Sequence, residues 1–333
     1  MNNKINIGII GFGKMGKIRY DCLKNINSVA IKYIAEENSD INIPPNLKVK
    51  NVDVIFNDSE VDAIIICTPN FLNYNYTKKG LINGKNVFCE KPPAFKSEEI
   101  LEIKKLEKLN KKFVMYGFNH RQHESVKLIK KYIDSDKFGK ILWMRGRYGK
   151  SVNKDFFNSW RSDKKLSGGG ILFDQGIHML DLFLHFAGEF DQVKSFISNS
   201  YWNLDIEDNV FAIFKNSEKN ITASLHSTMT QWRHLFSLEI FLEKGYIVLN
   251  GLKTSSGTYG KESLSVALNR SSAPEASWDK EDIQVFDGAD FWQEEINEFV
   301  NCCTKNHILA FGDSSQALKV LKLIEKIYDE AKN

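Results

Sequence analysis

The sequence lacks the marks of membrane, nucleic-acid-binding and disulfide-built proteins. No apolar run approaches the roughly 20 residues that cross a bilayer, so no membrane partner is expected. Charge of neither sign is in excess. A formal net charge of +3 over 333 residues gives no case for a nucleic-acid partner, which needs a clustered basic face. The basic doublets Lys104-Lys105, Lys111-Lys112 and Lys130-Lys131 fall on expected helices and read as solvated faces. The five cysteines (Cys22, Cys67, Cys89, Cys302, Cys303) are odd in number and show no metal-ligand spacing, which fits a reducing, cytoplasmic setting. The sequon Asn220-Ile221-Thr222 is then inert. The opening MNNKINIGIIGFG is broken by glycines and shows no cleavage region, so it reads as a strand rather than a signal peptide. No internal repeat and no long linker interrupts the chain. A length of 333 residues predicts about two domains.

The first third alternates between strand and helix. Strands are expected at 4–10, 29–35, 63–67, 86–90 and 113–117, with helices at 14–25, 73–83 and 97–110. The run Ala63-Ile64-Ile65-Ile66-Cys67 is continuously apolar, as suits a strand covered on both faces of a parallel sheet. Gly84 is placed to end the helix before it. Repeated strand and helix argue a doubly wound sheet. After about Asn119 one strong helix, 171–187, is followed by alternating segments at 192–200, 209–214, 221–228, 236–243 and 246–250. No helix-length crossover separates them, which predicts one large, mostly antiparallel open sheet. The segment 251–260 is turn-rich, 271–279 reads as a loop, and helices at 290–304 and 314–331 close the chain. The fold class is therefore α/β, a Rossmann-type domain followed by a second α/β domain.

Three motifs carry chemistry. The first strand runs into GFGKMG, with Gly11, Gly13 and Gly16 in the G-x-G-x-x-G pattern between a strand and a helix. The first glycine permits the turn, the second admits a pyrophosphate, and the third lets the helix pack on the strand. The helix N-terminus offers N–H groups and a positive dipole end to the phosphates. Twenty residues past Gly16 stands Glu36, whose carboxylate suits the ribose hydroxyls of NAD and would repel the extra phosphate of NADP; otherwise Glu36 and Glu37 simply open a polar loop. In CEKPPAF, residues 89–95, prolines end a strand and hold Lys91 on a stiff corner. In WRSDKKLSGGGILFDQGIHMLDL, Gly168-Gly169-Gly170 precede a helix on which Asp174, His178 and Asp181 form one stripe. Asp174 and His178 suit an acid/base pair. A solvated polar stripe is the plainer reading of that helix alone. A metal site is not expected, for want of a third ligand in a recognised spacing. His185 continues the stripe as a structural residue.

Together GFGKMG, CTPNFLN (67–73), CEKPP and GGGILFDQGIHMLD resemble the Gfo/Idh/MocA family of nicotinamide-dependent oxidoreductases over nearly the whole chain. The resemblance implies an NAD-binding Rossmann domain at 1–121 and a substrate-binding and oligomerisation domain at 122–333. The closing helix is able to pack back on the first domain. Lys91, Asp174 and His178 would surround the reacting carbon, with the Lys91-Pro92 bond sometimes cis. Cofactor contacts would come from Gly11, Phe12, Gly13, Lys14, Met15, Gly16, Glu36, Thr68, Pro69, Asn70, Asn73, Glu90, Lys91 and Asn119, and from Trp160 and Arg161 closing over cofactor or substrate. Arg121, with Lys91, Trp160, Arg161, Asp174 and His178, would meet substrate. One departure is Asn73, where the family commonly has histidine; Asn is expected to serve there as a helix N-cap.

The activity implied is hydride transfer between NAD (NADP less favoured) and a secondary alcohol or ketone carbon of a sugar or nucleotide-linked sugar. The segments DIEDNVFAIFKN and LHSTMTQWRHLFSLEIFLEKGYIVLNG look like members from bacterial surface-polysaccharide synthesis. Trp232, Arg233 and His234, expected on a strand, would meet hydroxyls or phosphates or face a partner subunit. A homodimer or homotetramer through the C-terminal sheet is implied. Two other classes stand beside this: an NAD-dependent glycosidase with transient oxidation, and a non-catalytic NAD-sensing regulator.

Overall fold

A computed structural model describes residues 4–268, 280–288, 290–305 and 307–332. The chain divides into two compact units. One comprises Met1–Asn119 with Asp290–Leu321, the other His120–Ala289 with Lys322–Asn333.

The first unit is built on a six-stranded parallel sheet. Its strands are β1 (Ile5–Ile10), β2 (Val29–Ala35), β3 (Lys48–Val49), β4 (Ala63–Ile66), β5 (Asn86–Cys89) and β6 (Val114–Tyr116), in the order β3-β2-β1-β4-β5-β6. The helices are α1 (Lys14–Leu23), α2 (Asp53–Asn57), α3 (Asn70–Ile82) and α4 (Ser97–Asn110). All four residues of β4 are fully buried, as their unbroken apolar run requires. The strand order reverses between β2 and β4 around β1, which makes the C-terminal end of β1 the switch point where doubly wound sheets bind ligands. The late helix α9 (Phe291–Lys305) completes this core: Ile296, Phe299 and Val300 join Ile7, Ile9, Ile65 and Phe88, with Phe299 edge-on to Phe88 at 5.7 Å. Each such side chain contributes about 1.5–3 kcal/mol by burial.

The second unit carries an eight-stranded sheet. Its strands are β7 (Ile141–Gly149), β8 (Gln192–Ser198), β9 (Asn209–Asn216), β10 (Ile221–Thr228), β11 (Leu235–Leu242), β12 (Gly245–Asn250), β13 (Glu262–Leu268) and β14 (Asp282–Phe286), in the order β14-β13-β12-β11-β7-β10-β9-β8. All pairs are antiparallel except β7 with β10. The helices are α5 (Glu124–Asp134), the short α6 (Lys154–Phe157) and α7 (Lys164–Ser167), and α8 (Ile177–Ala187). The last helix, α10 (Ser314–Glu330), contains the residue at which the chain passes from one unit to the other. Gly146 of β7 meets α8 so closely that a Cβ there would lie 2.5 Å from Met179. On β9, Val210, Ala212 and Phe214 point inward, while Phe211 and Ile213 alternate outward and are 49% and 57% exposed.

Several sequence expectations need correction. The central strand β7 was not expected, nor were β13 and β14. The helix expected at 171–187 opens with a π-helical turn, Leu172–Gly176, before α8. Trp232, Arg233 and His234 lie in the connection before β11, not on a strand. Asn73 is not an N-cap: α3 begins three residues earlier, at Asn70, with Pro69 in the capping position. The loop expected at 271–279 lies outside the described residues.

Candidate functional site

In the first unit β1 delivers the glycine loop. Gly11 has φ +87°, and a Cβ there would stand 2.5 Å from the Cys67 carbonyl oxygen. A Cβ on Gly16 would stand 2.1 Å from the Gly11 carbonyl oxygen. Around Gly13 nothing lies within 4 Å of that position. The outer glycines are therefore required by the fold, while the middle one leaves room beside α1. Gly13 supplies no side-chain cap to α1, so the first N–H groups of the helix have no capping oxygen from it. Lys14 and Met15 occupy the first turn and Phe12 is buried. Glu36 follows β2, and its carboxylate accepts the Phe12 N–H at 2.6 Å and the Asn38 N–H at 3.0 Å, which holds it at the loop. These residues fit a dinucleotide pyrophosphate at the loop and a ribose at Glu36.

The corner at the end of β5 is held from two sides. The fully buried Asn73 amide donates to the carbonyl oxygens of Glu90 (3.1 Å) and Pro92 (2.8 Å), on either side of Lys91. Its own oxygen accepts from the Thr68 hydroxyl at 3.2 Å. Thr68, Pro69 and Asn70 thus lead from β4 directly into the residue that fixes the lysine corner. The Lys91-Pro92 bond is cis. Behind it, the fully buried Arg19 of α1 donates through Nε to Glu90 at 2.8 Å and through a terminal nitrogen to Glu295 of α9 at 2.6 Å. Burial alone would favour loss of the Arg19 proton, but the two carboxylates outweigh it and raise the pKa above its usual value. Gly117 fits beside this cluster: a Cβ there would be 3.0 Å from Glu90 Oε2. Sequence reasoning missed Arg19 and Glu295. A single charged residue on an amphipathic helix carries no signal of a buried partner.

In the second unit Gly168, Gly169 and Gly170 lead into the π-helical turn. A Cβ on Gly170 would stand 2.0 Å from the Glu207 carbonyl oxygen, so only glycine fits. The Glu207 carboxylate accepts the N–H groups of Gly170 (2.8 Å) and Leu172 (3.1 Å) and the Tyr328 hydroxyl (2.9 Å). Asp174 lies within the π-helical turn and is ion-paired with Lys150. His178, on the first turn of α8, is 6% exposed and stacks on His120, with ring centroids 3.9 Å apart and planes 11° from parallel. His120 Nε2 stands 3.3 Å from the Tyr148 hydroxyl, whose pKa burial pushes well up. Asp181, the third member of the stripe, is buried and held by Arg121 through two bonds of 2.7 and 2.6 Å. Burial raises the Asp181 pKa more than Arg121 lowers it. Asn119 opens the short turn Asn119–Gln122 that carries His120 and Arg121. Trp160 and Arg161 share a further turn, with the Arg161 guanidinium 4.4 Å from the Trp160 ring centre.

Lys150 and His120 were not anticipated. His120 was legible only as the neighbour of Asn119, and Lys150 lies just past the unexpected strand β7. Among the described residues no group of three or more His, Cys, Asp or Glu is placed to hold a metal ion. No helix among them is long and apolar enough to cross a membrane.

Two family models match: an oxidoreductase family with an NAD-binding Rossmann fold over residues 5–118, and the Gfo/Idh/MocA C-terminal domain over residues 126–248. The chain belongs to the Gfo/Idh/MocA family. It is 30% identical to a levoglucosan dehydrogenase of Pseudarthrobacter phenanthrenivorans over 58% of this chain and 54% of that one. It is 26% identical to the 2,7-anhydro-N-acetylneuraminate hydratase of Escherichia coli over 75% and 66%. The aligned regions span about half to two thirds of these relatives' lengths. The fold is that of a solved levoglucosan dehydrogenase in complex with NADH and levoglucosan (TM-score 0.82, 22% identity, 99% of this chain and 98% of that one). It is equally that of a 3-ketoreductase from Actinomadura kijaniata solved with NADP (TM-score 0.82, 16% identity, 98% of both).

Proposed function

We propose that this chain is an NAD-dependent oxidoreductase that moves a hydride between nicotinamide and a secondary alcohol or ketone carbon of a sugar. The observation that carries the reading is the glycine loop, closed to side chains at Gly11 and Gly16 and open at Gly13. Residues 1–121 hold the cofactor: Gly11 to Gly16 at the pyrophosphate, Glu36 at the ribose, and Thr68, Pro69, Asn70, Asn73, Glu90 and Asn119 around the nicotinamide. The second unit holds the substrate, with Trp160, Arg161 and Arg121 beside it. The nicotinamide, when bound, accepts or returns the hydride. His178 takes the hydroxyl proton of the alcohol, because a hydride leaves the carbon only if that proton leaves too. Lys91 donates a hydrogen bond to the same oxygen and stabilises its developing charge. Asp174 orients the substrate from its pair with Lys150. The stacked His120 restricts rotation of the His178 ring, and the pinned corner fixes Lys91, as a reaction intolerant of small misplacement requires.

Glu36 supports NAD over NADP. The finer substrate reading, a nucleotide-linked sugar of bacterial surface-polysaccharide synthesis in the cytoplasm, rests on the resemblance of the segments around 205–216 and 225–251. We also propose assembly as a homodimer or homotetramer through the exposed sheet face that carries Phe196, Phe211 and Ile213. A second reading, an NAD-dependent glycosidase that oxidises its substrate only transiently, involves no net redox change; a relative named for a hydration, which has none either, favours it. Incubation with NAD and a panel of hexoses, inositols and nucleotide-linked sugars tests the proposal. NADH formed in proportion to oxidised sugar supports it. Product without NADH selects the second reading, and neither outcome with any sugar defeats both.

A further inference from the structure

Beyond Asp174 the second unit carries an aromatic cluster that the proposed mechanism leaves unused. The ion-pair partner of Asp174, Lys150, has its ammonium 5.7 Å from the Phe156 ring centre. Phe156 lies 6.3 Å from Phe157, and Phe157 lies 5.5 Å from Trp202. Trp202 meets Tyr201 at 4.9 Å and Trp232 at 5.9 Å, and Tyr201 meets Trp232 at 5.1 Å. Tyr201 and Trp232 nonetheless remain 61% and 60% exposed. Single exposed apolar residues need no explanation, but a contiguous exposed aromatic group on a fixed frame marks a binding surface.

The frame is fixed. The fully buried Asp208 carboxylate accepts three successive backbone N–H groups, from Ser200 (3.0 Å), Tyr201 (2.8 Å) and Trp202 (3.1 Å). The Trp202 indole donates to the Met229 carbonyl at 2.9 Å, and the Met229 N–H donates to the Asp208 carbonyl at 2.7 Å. The loop before β9 and the connection after β10 are thereby tied together, so the rings are oriented before any ligand arrives.

We propose that Phe157, Tyr201, Trp202 and Trp232 form a stacking subsite for a second pyranose ring, which makes the substrate a glycoside or oligosaccharide rather than a single sugar or the nucleotide-linked sugar named above. The inference rests on the sugar oxidoreductase reading above. Three features select a sugar. Ring planes meet at 86°, 70° and 73°, so the rings present single angled faces rather than a parallel-walled slot for a flat base. The partly positive C–H face of a pyranose suits the negative face of an aromatic ring. The cluster is continuous, through Phe156 and Lys150, with Asp174.

The test is binding of maltose, cellobiose and lactose, each against glucose and galactose, to the full chain without added cofactor. It is read by isothermal titration and saturation-transfer NMR. At least one disaccharide should bind about tenfold more tightly than its monosaccharides. That preference should collapse in Tyr201→Ala and Trp232→Ala and survive in Tyr201→Phe and Trp232→Phe, which keep a ring and control for folding. No disaccharide preference, or one that survives both alanine variants, overturns the subsite. A smaller oligomer in Trp232→Ala overturns it also and assigns the cluster to contact between copies of this chain. Disaccharide bound through these rings, with neither NADH nor product formed on added NAD from it or from any sugar of the panel above, would leave the subsite standing and defeat the redox reading alone.

Discussion

Asn73 shows how one buried amide can hold a neighbouring corner from two sides. It is fully buried, and both of its donors go to the carbonyls that flank Lys91. We expect Asn73→Ala to leave those buried carbonyls without this donor, at about 1–3 kcal/mol. Thermal melting should register the loss, and turnover should fall with it because Lys91 is no longer held. Nothing in the sequence distinguished this role from an N-cap, since asparagine suits both. Glu36 was legible from its spacing alone, as a carboxylate after the second strand. We expect Glu36→Ser, combined with an arginine at position 37, to raise the kcat/KM for NADP relative to NAD. An unchanged ratio would remove Glu36 from the ribose.

Helix α8 was legible as a strong apolar segment, but its π-helical start was not, because hydrophobic period alone does not report a single widened turn. Its half-buried His185 sets a pH limit. Burial first, then the nearby charges of Arg121 and Lys130, push the His185 pKa down to about 3. The folded chain thus refuses a proton that the unfolded chain accepts below the ordinary value of 6.5. The stability contribution is therefore intact above that value and is lost as pH falls from there toward 3, at up to about 1.4 kcal/mol per unit. Chemical unfolding at neutral pH and at about pH 5 should show a smaller loss in His185→Gln than in the natural chain. Equal losses would show that His185 is not the group responsible. Strand β7 escaped notice for a different reason. Gly146 and the outward Arg145 and Arg147 break its apolar run, and a glycine inside a strand argues against one. The close approach of Met179 and Phe183 explains that glycine.

For the whole molecule, the sequence alone predicted a parallel α/β sheet followed by a mostly antiparallel one. Local periodicity and turn residues carry that order. They do not carry strand pairing, which is why the parallel contact between β7 and β10 was invisible. It joins residues about 80 positions apart. The outward Phe196 (82% exposed), Phe211 and Ile213 leave one sheet face apolar. We expect the natural chain to run as a dimer or tetramer by light scattering, and Phe196→Glu with Phe211→Glu to run as a smaller species. A natural chain that is monomeric at micromolar concentration would remove this face as an interface.

The roles given to Lys91 and His178 meet their most direct test in paired measurements on Lys91→Ala and His178→Ala: NADH formation from an oxidised sugar, and NAD affinity by titration. We expect turnover to fall by about 10²–10⁴ in each variant, as loss of a positioned acid, base or charge stabiliser does, while NAD affinity changes little. Turnover unchanged in both variants, with NAD still bound, would contradict the assignment.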